Sequence, residues 1–152
     1  IAKIYEIDMS EHLLRLMKMD FVKYYGFCYY LFTTNQKVDE FLALCDREIA
    51  YDTYPNQMGN DLGFGPVPGN IKLDTIVQYL DRHCGKGCKM IRACIQSPIT
   101  RWRNMAAGAM LGWVKEANKT LQELDAGLYA EVVRVSEIEC SNQTKGMWEK
   151  LL

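Results

Sequence analysis

Ser97-Pro98-Ile99-Thr100-Arg101-Trp102-Arg103-Asn104-Met105-Ala106-Ala107-Gly108-Ala109-Met110-Leu111-Gly112-Trp113 is the stretch whose reading decides the fold. Ser97 is a residue type that caps free helical amides, and Pro98 suits the first helical position, where its missing N–H costs nothing. Ile99, Trp102, Ala106, Ala109, Met110 and Trp113 then recur at three- and four-residue steps, the period of one buried helix face. The small residues from Ala106 to Ala109 allow a neighbouring helix to approach closely.

Working outward, the same period returns. A helix is expected from Ser10, carrying Leu13, Leu16 and Met17. Asp20 then caps the run Phe21–Phe32, whose length and shortage of turn residues favour a buried helix over a strand. Further helices are expected over about 37–49, 71–83 and 86–96. Thr120 with Glu123 forms a capping box for a last long helix over about 121–138, bearing Leu121, Leu124, Leu128, Val132 and Val135. No convincing alternation of period two occurs, so the chain is expected to be all-α.

Helices 71–83 with 86–96, and 98–115 with 121–138, are joined by short links and are expected to pack as antiparallel hairpins. Between the aromatic N-terminal part and these pairs lies 52–70, rich in proline and glycine and expected to be non-helical. A connection of that length is often a binding loop. Tyr54, Met58, Leu62 and Phe64 suggest that apolar side chains anchor it. The expected organisation is one domain over 1–152: N-terminal helices 1–51, the loop 52–70, helical pairs 71–140 and a C-terminal tail 141–152.

Trp102-Arg103, Ala106-Ala107 and Ala109-Met110-Leu111 resemble the second helix of a HEAT-like α-helical repeat of bacterial type. The resemblance is specific over only about fifteen residues and spans roughly 70–140, with Trp102 and the position of Gly112 departing from the pattern. It implies a short stack of helical hairpins, an α-α superhelix. It also implies that Arg103 ties adjacent repeats together.

The 152 residues are 49% hydrophobic and 24% charged, ordinary values for a chain that buries its own core. No apolar run is long enough to span a membrane. The six cysteines, Cys28, Cys45, Cys84, Cys88, Cys94 and Cys140, fall mostly on apolar stripes and read as reduced thiols, which points to the cytoplasm.

A net charge of −1 conceals an uneven distribution. Residues 82–119 hold eight basic side chains and one acidic, against seven and twelve in 1–81 and three and six in 120–152. Arg92, Arg101, Arg103 and Lys115 are interleaved with Trp102 and Trp113, a combination suited to nucleic-acid backbone and bases or to an acidic peptide. The rival reading places the tryptophans in the core and the charges in structural pairs or in solvent. Lys86, between Gly85 and Gly87 at a helix start, is a further candidate anion contact. These five cations are the candidate binding residues.

His83, Cys84, Cys88 and Cys94 invite a zinc reading, but no second ligand pair at suitable spacing follows, so no metal is expected. His12 and His83 are the two histidines, and neither sits in a nucleophile setting. No dinucleotide or haem signature is present, and no cofactor is expected. The reading is a non-enzymatic helical scaffold binding a protein or other macromolecular partner. The alternative is a nucleic-acid-acting enzyme or reader of the HEAT-like alkylpurine DNA glycosylase type, using 82–119.

Overall fold

The computed structural model describes residues 7–152; the first six residues of the expected N-terminal helices lie outside the described residues. Among the described residues the chain is helical without a strand, the one β-bridge being an isolated contact between Asp61 and Ile99. It divides into two compact units, up to Ala50 and from Tyr51 onward.

In the first unit, α1 (Ser10–Met19) buries Leu14 and Met17. Asp20 ends it in an extended conformation, and its carboxylate accepts the Lys23 amide at 3.1 Å to start α2 (Phe21–Tyr24). The expected continuous helix over 21–32 is interrupted. A 3₁₀ turn over Tyr25–Phe27 separates α2 from α3 (Cys28–Thr34). The interruption centres on Gly26, the residue least favourable to a helix interior in this run. It turns Phe21 and Phe32 toward Phe41, at ring-centroid distances of 6.3 and 5.8 Å. Phe41 belongs to α4 (Val38–Glu48), close to the expected span 37–49.

The second unit begins with the long connection. Tyr51–Thr53 and Pro68–Asn70 are 3₁₀ turns, and the rest of 52–70 is irregular, as the proline and glycine content dictates. The expected helix over 71–83 is shorter and broken, into α5 (Asp74–Val77) and a 3₁₀ turn at Leu80–Arg82. Its apolar residues Leu73, Ile76, Val77 and Leu80 are nonetheless buried, so the periodicity located the core face while overstating the regularity.

The centre of this unit is α7 (Thr100–Ala117), preceded by α6 (Cys88–Ile95). The helix starts two residues later than Pro98 suggests. Ile99 is its N-cap, and the Ser97 hydroxyl accepts the Ile99 amide at 3.1 Å. Ile99, Trp102, Ala106, Ala109, Met110 and Trp113 are all buried. Around α7 pack α5, α6, the Leu80–Arg82 turn and α10 (Asn142–Trp148).

Gly112 sets the closest of these approaches. A Cβ there would lie 2.5 Å from the Asp81 carbonyl oxygen and 2.9 Å from the Asp81 Cα. The adjacent Trp113 indole N–H donates to the Leu80 carbonyl at 2.6 Å, so one turn of α7 holds the 3₁₀ turn by both contact and hydrogen bond.

The helix expected over 121–138 is also divided. Thr120 and Glu123 form the capping box of α8 (Leu121–Leu124) as expected. Asp125 then leaves helical geometry and caps α9 (Ala126–Ser136), its carboxylate accepting the Leu128 amide at 2.9 Å. The segment expected as a tail is instead the helix α10, capped by Ser141, with Trp148 fully enclosed.

Candidate functional site

The candidate cations occupy separate places along the second unit. Arg101 and Lys115 lie fourteen residues apart on α7, about 21 Å at 1.5 Å per residue. Arg92 is on α6, and Lys86 is half-buried in the turn before it.

Each arginine meets a carboxylate supplied by an acidic flank. Arg92 Nε donates to Glu131 of α9 at 2.7 Å, and its Nη2 lies 3.6 Å from Asp125. The bond to Glu131 leads the causes that raise the Arg92 pKa. Arg101 Nε donates to Asp74 at the start of α5 at 2.5 Å. Arg103 Nε and Nη2 donate to the two oxygens of Glu139 at 2.8 and 2.7 Å. The middle of the chain is cationic in sequence, but folding brings carboxylates from 71–81 and 120–152 onto its arginines.

The Arg103–Glu139 pair is the most enclosed, with both side chains at 0% exposure. Arg103 Nη1 also donates to the Ser97 and Pro98 carbonyls at 2.8 and 3.1 Å. Glu139 receives in addition the Ser141 amide at 2.9 Å and the Trp148 indole at 3.1 Å. Burial pushes the Glu139 carboxyl up, but the bonds from Arg103, Ser141 and Trp148, with the guanidinium charge, outweigh it and hold it below the ordinary carboxylate value. Arg103 therefore offers no surface to a ligand. It joins the start of α7 to the link before α10.

Asp74 is the counterpart with a loose end. Its side chain is 8% exposed, Oδ2 takes the Arg101 bond, and Oδ1 is buried without a partner. Arg101 itself is 56% exposed. Lys115 stands in solvent in the last turn of α7.

Beside Arg92 lies a cleft of about 320 Å³. Lys89, Arg92, Ala93 and Gln96, one face of α6, form one wall, and the segment from Tyr51 to Asn56 forms the other. The Tyr54 hydroxyl donates to the Ile71 carbonyl at 2.9 Å, and its ring lies 5.5 Å from that of Trp102. Tyr54 thus anchors the long loop as expected.

Farther along, the loop is held by backbone. The Asp61 amide donates to Pro98 at 3.1 Å, and the Asp61 carbonyl accepts from Thr100 at 2.9 Å. Its carboxylate accepts the Gly63 amide at 2.7 Å. Gly63 passes so near Ile99 that a Cβ would fall 2.8 Å from Ile99 Cγ2. Leu62 and Phe64, expected as anchors, instead project into solvent at 67% and 89% exposure. Backbone pairing fixes this part of the loop, which leaves these side chains unspent, and nothing in residue type alone distinguishes the two outcomes.

Among the described residues no group of three or more His, Cys, Asp or Glu is placed to hold a metal ion. No described helix is long and apolar enough to cross a membrane. Compared with known proteins, the chain matches no family model, no curated protein and no solved structure.

Proposed function

We propose that the chain is a non-enzymatic helical scaffold that binds a protein partner, its helix pairs forming a short, irregular stack of the HEAT-like kind. The observation that carries the binding reading is the apolar pair Leu62 and Phe64, held out in solvent by a loop whose backbone is bonded to the start of α7. An exposed apolar pair on a fixed mount loses little conformational freedom when covered, which favours its use as an anchor. The pairing of α6 with α7, and of both with later helices, supports the stacked arrangement. The buried thiols of Cys28, Cys45 and Cys94 support a cytoplasmic setting.

The nucleic-acid alternative draws less support, because Arg92, Arg101 and Arg103 are each engaged by a carboxylate. The test places a photo-crosslinking phenylalanine analogue at position 64 and irradiates the parent cells, with a nuclease-treated arm. A discrete protein adduct that persists after nuclease treatment and disappears when Leu62 is replaced by Asp supports the proposal. A nuclease-sensitive adduct, or no adduct, refutes it.

A further inference from the structure

We propose that Cys84 and Cys88 are an oxidisable dithiol, a site at which a hydroperoxide converts the two thiols into an intramolecular disulfide. They lie in the turn between the Leu80–Arg82 segment and α6. The Lys86 amide donates to the His83 carbonyl at 3.0 Å, closing a turn that carries Cys84 and ends two residues before Cys88. Gly85 and Gly87 hold it with φ of +76° and +68°. Cys88 Sγ lies 3.3 Å from the Gly85 carbonyl oxygen, so it points back over the turn toward the residue that follows Cys84. A disulfide needs Cα atoms within about 7 Å and Cβ vectors that converge, and the turn carrying Cys84 together with the backward set of the Cys88 sulfur favours that approach.

Accessibility singles out this pair. Cys84 is exposed, Cys88 is half-exposed, and both carry free thiols. Cys28, Cys45 and Cys94 are buried, and burial pushes the Cys28 thiol up to about 12. The exposed Cys84 reacts first. Its sulfur displaces the alkoxide of the hydroperoxide as its proton is released, giving a sulfenic acid and an alcohol. The Cys88 sulfur then attacks the sulfenyl sulfur, and water leaves. Two thiols and one hydroperoxide give one disulfide, one alcohol and one water. The sulfurs together lose two electrons, which the peroxide bond accepts.

The surroundings set the pace. Burial and Glu116 push the Cys84 thiol up, partly offset by Lys119. Burial, Asp125 and the neighbouring Cys84 push Cys88 up, partly offset by Arg92 and a backbone bond. Both are protonated at neutral pH, and since the thiolate is the nucleophile, oxidation should quicken as pH rises toward and past the ordinary thiol value.

The test treats the full chain with hydrogen peroxide at about pH 8, near the free thiol value, then alkylates it under denaturing conditions and maps the peptides. The expected result is a Cys84–Cys88 disulfide in monomeric protein, reversed by dithiothreitol and formed more slowly at neutral pH. In Cys88→Ser, where the resolving thiol is missing, Cys84 should progress instead to sulfinic acid. Equal over-oxidation of Cys84 in the unaltered protein and in Cys88→Ser would overturn the proposal. So would linkage of Cys84 to Cys140 or to a second chain.

Discussion

Replacing Glu139 by Gln removes one charge from a pair in which both side chains are fully enclosed. The carboxylate accepts four donors: two from Arg103, one from the Ser141 amide and one from the Trp148 indole. A glutamine of the same shape offers one oxygen and one NH2 group, and the latter must face a donor on either side. The Arg103 charge stays buried without its counter-charge. Breaking such a pair from one side costs about 3–5 kcal/mol, and no discount for solvent screening applies at zero exposure. Urea unfolding followed by tryptophan fluorescence suits the measurement, since Trp102, Trp113 and Trp148 are all buried in this unit. The midpoint should fall by about 1–5 M at typical urea slopes. Removing the pair together, as Arg103→Met with Glu139→Leu, should recover much of the loss, because two desolvated charges disappear with their interaction. The folded-state pKa of Glu139 lies below its ordinary value of 4.5. Its stabilisation is therefore complete above about 4.5 and fades as pH falls through the lowered value. Glu139→Gln should flatten the acid limb of the stability profile over that range. A loss below about 1 kcal/mol, or an unchanged acid limb, would refute the assignment of a tight buried pair.

Gly112→Ala should destabilise by about 1–3 kcal/mol, because the new methyl meets the Asp81 backbone rather than a movable side chain; thermal or urea unfolding checks it, and an unchanged midpoint contradicts the close approach. Arg101→Gln removes the charged partner of Asp74, whose other oxygen is already unpaired. The arginine's own exposure moderates the cost to about 1–2 kcal/mol, read by the same unfolding curves, and a neutral or stabilising result would show that Asp74 does not depend on the bond. Phe64→Ser should leave stability within about 0.5 kcal/mol while abolishing the protein adduct formed from a photo-crosslinking analogue placed at position 62; a large loss of stability would place Phe64 in the packing.

The fold was legible where a run of sequence carries its own period. The stripe from Ile99 to Trp113, the apolar positions of 71–80 and the capping box at Thr120 depend on neighbours three or four residues away, and that information is local. What escaped was where a helix stops. Gly26, Tyr79 and Asp125 each interrupt a stretch whose apolar spacing continues across the break, since 3₁₀ turns and short helices can bury nearly the same positions. Asp125-Ala126-Gly127-Leu128 did contain the signal for one break: an aspartate able to cap an amide three residues on. The helix over Asn142–Trp148 was announced just as quietly by Ser141 and the large apolar Trp148.

The cationic middle of the chain shows a different kind of limit. A block of eight basic residues in 82–119 is a statement about the order of the chain, whereas binding depends on which charges reach solvent unpaired. Arg92 is 39 residues from Glu131, Arg101 is 27 from Asp74, and Arg103 is 36 from Glu139. No helical or strand period links positions so distant, so a reading of composition can register the imbalance but cannot pair it. The acidic excess on both sides was the available hint, because opposite charge separated along a chain tends to meet when the chain becomes compact. Arg103 completes a buried network, whereas Phe64 carries no charge and meets solvent over most of its surface. In a helical scaffold the residues that announce themselves by pattern are those already committed to holding it together. On the proposed binding reading, the residues left for a partner are those, like Leu62 and Phe64, whose positions only the backbone bonds of their loop reveal.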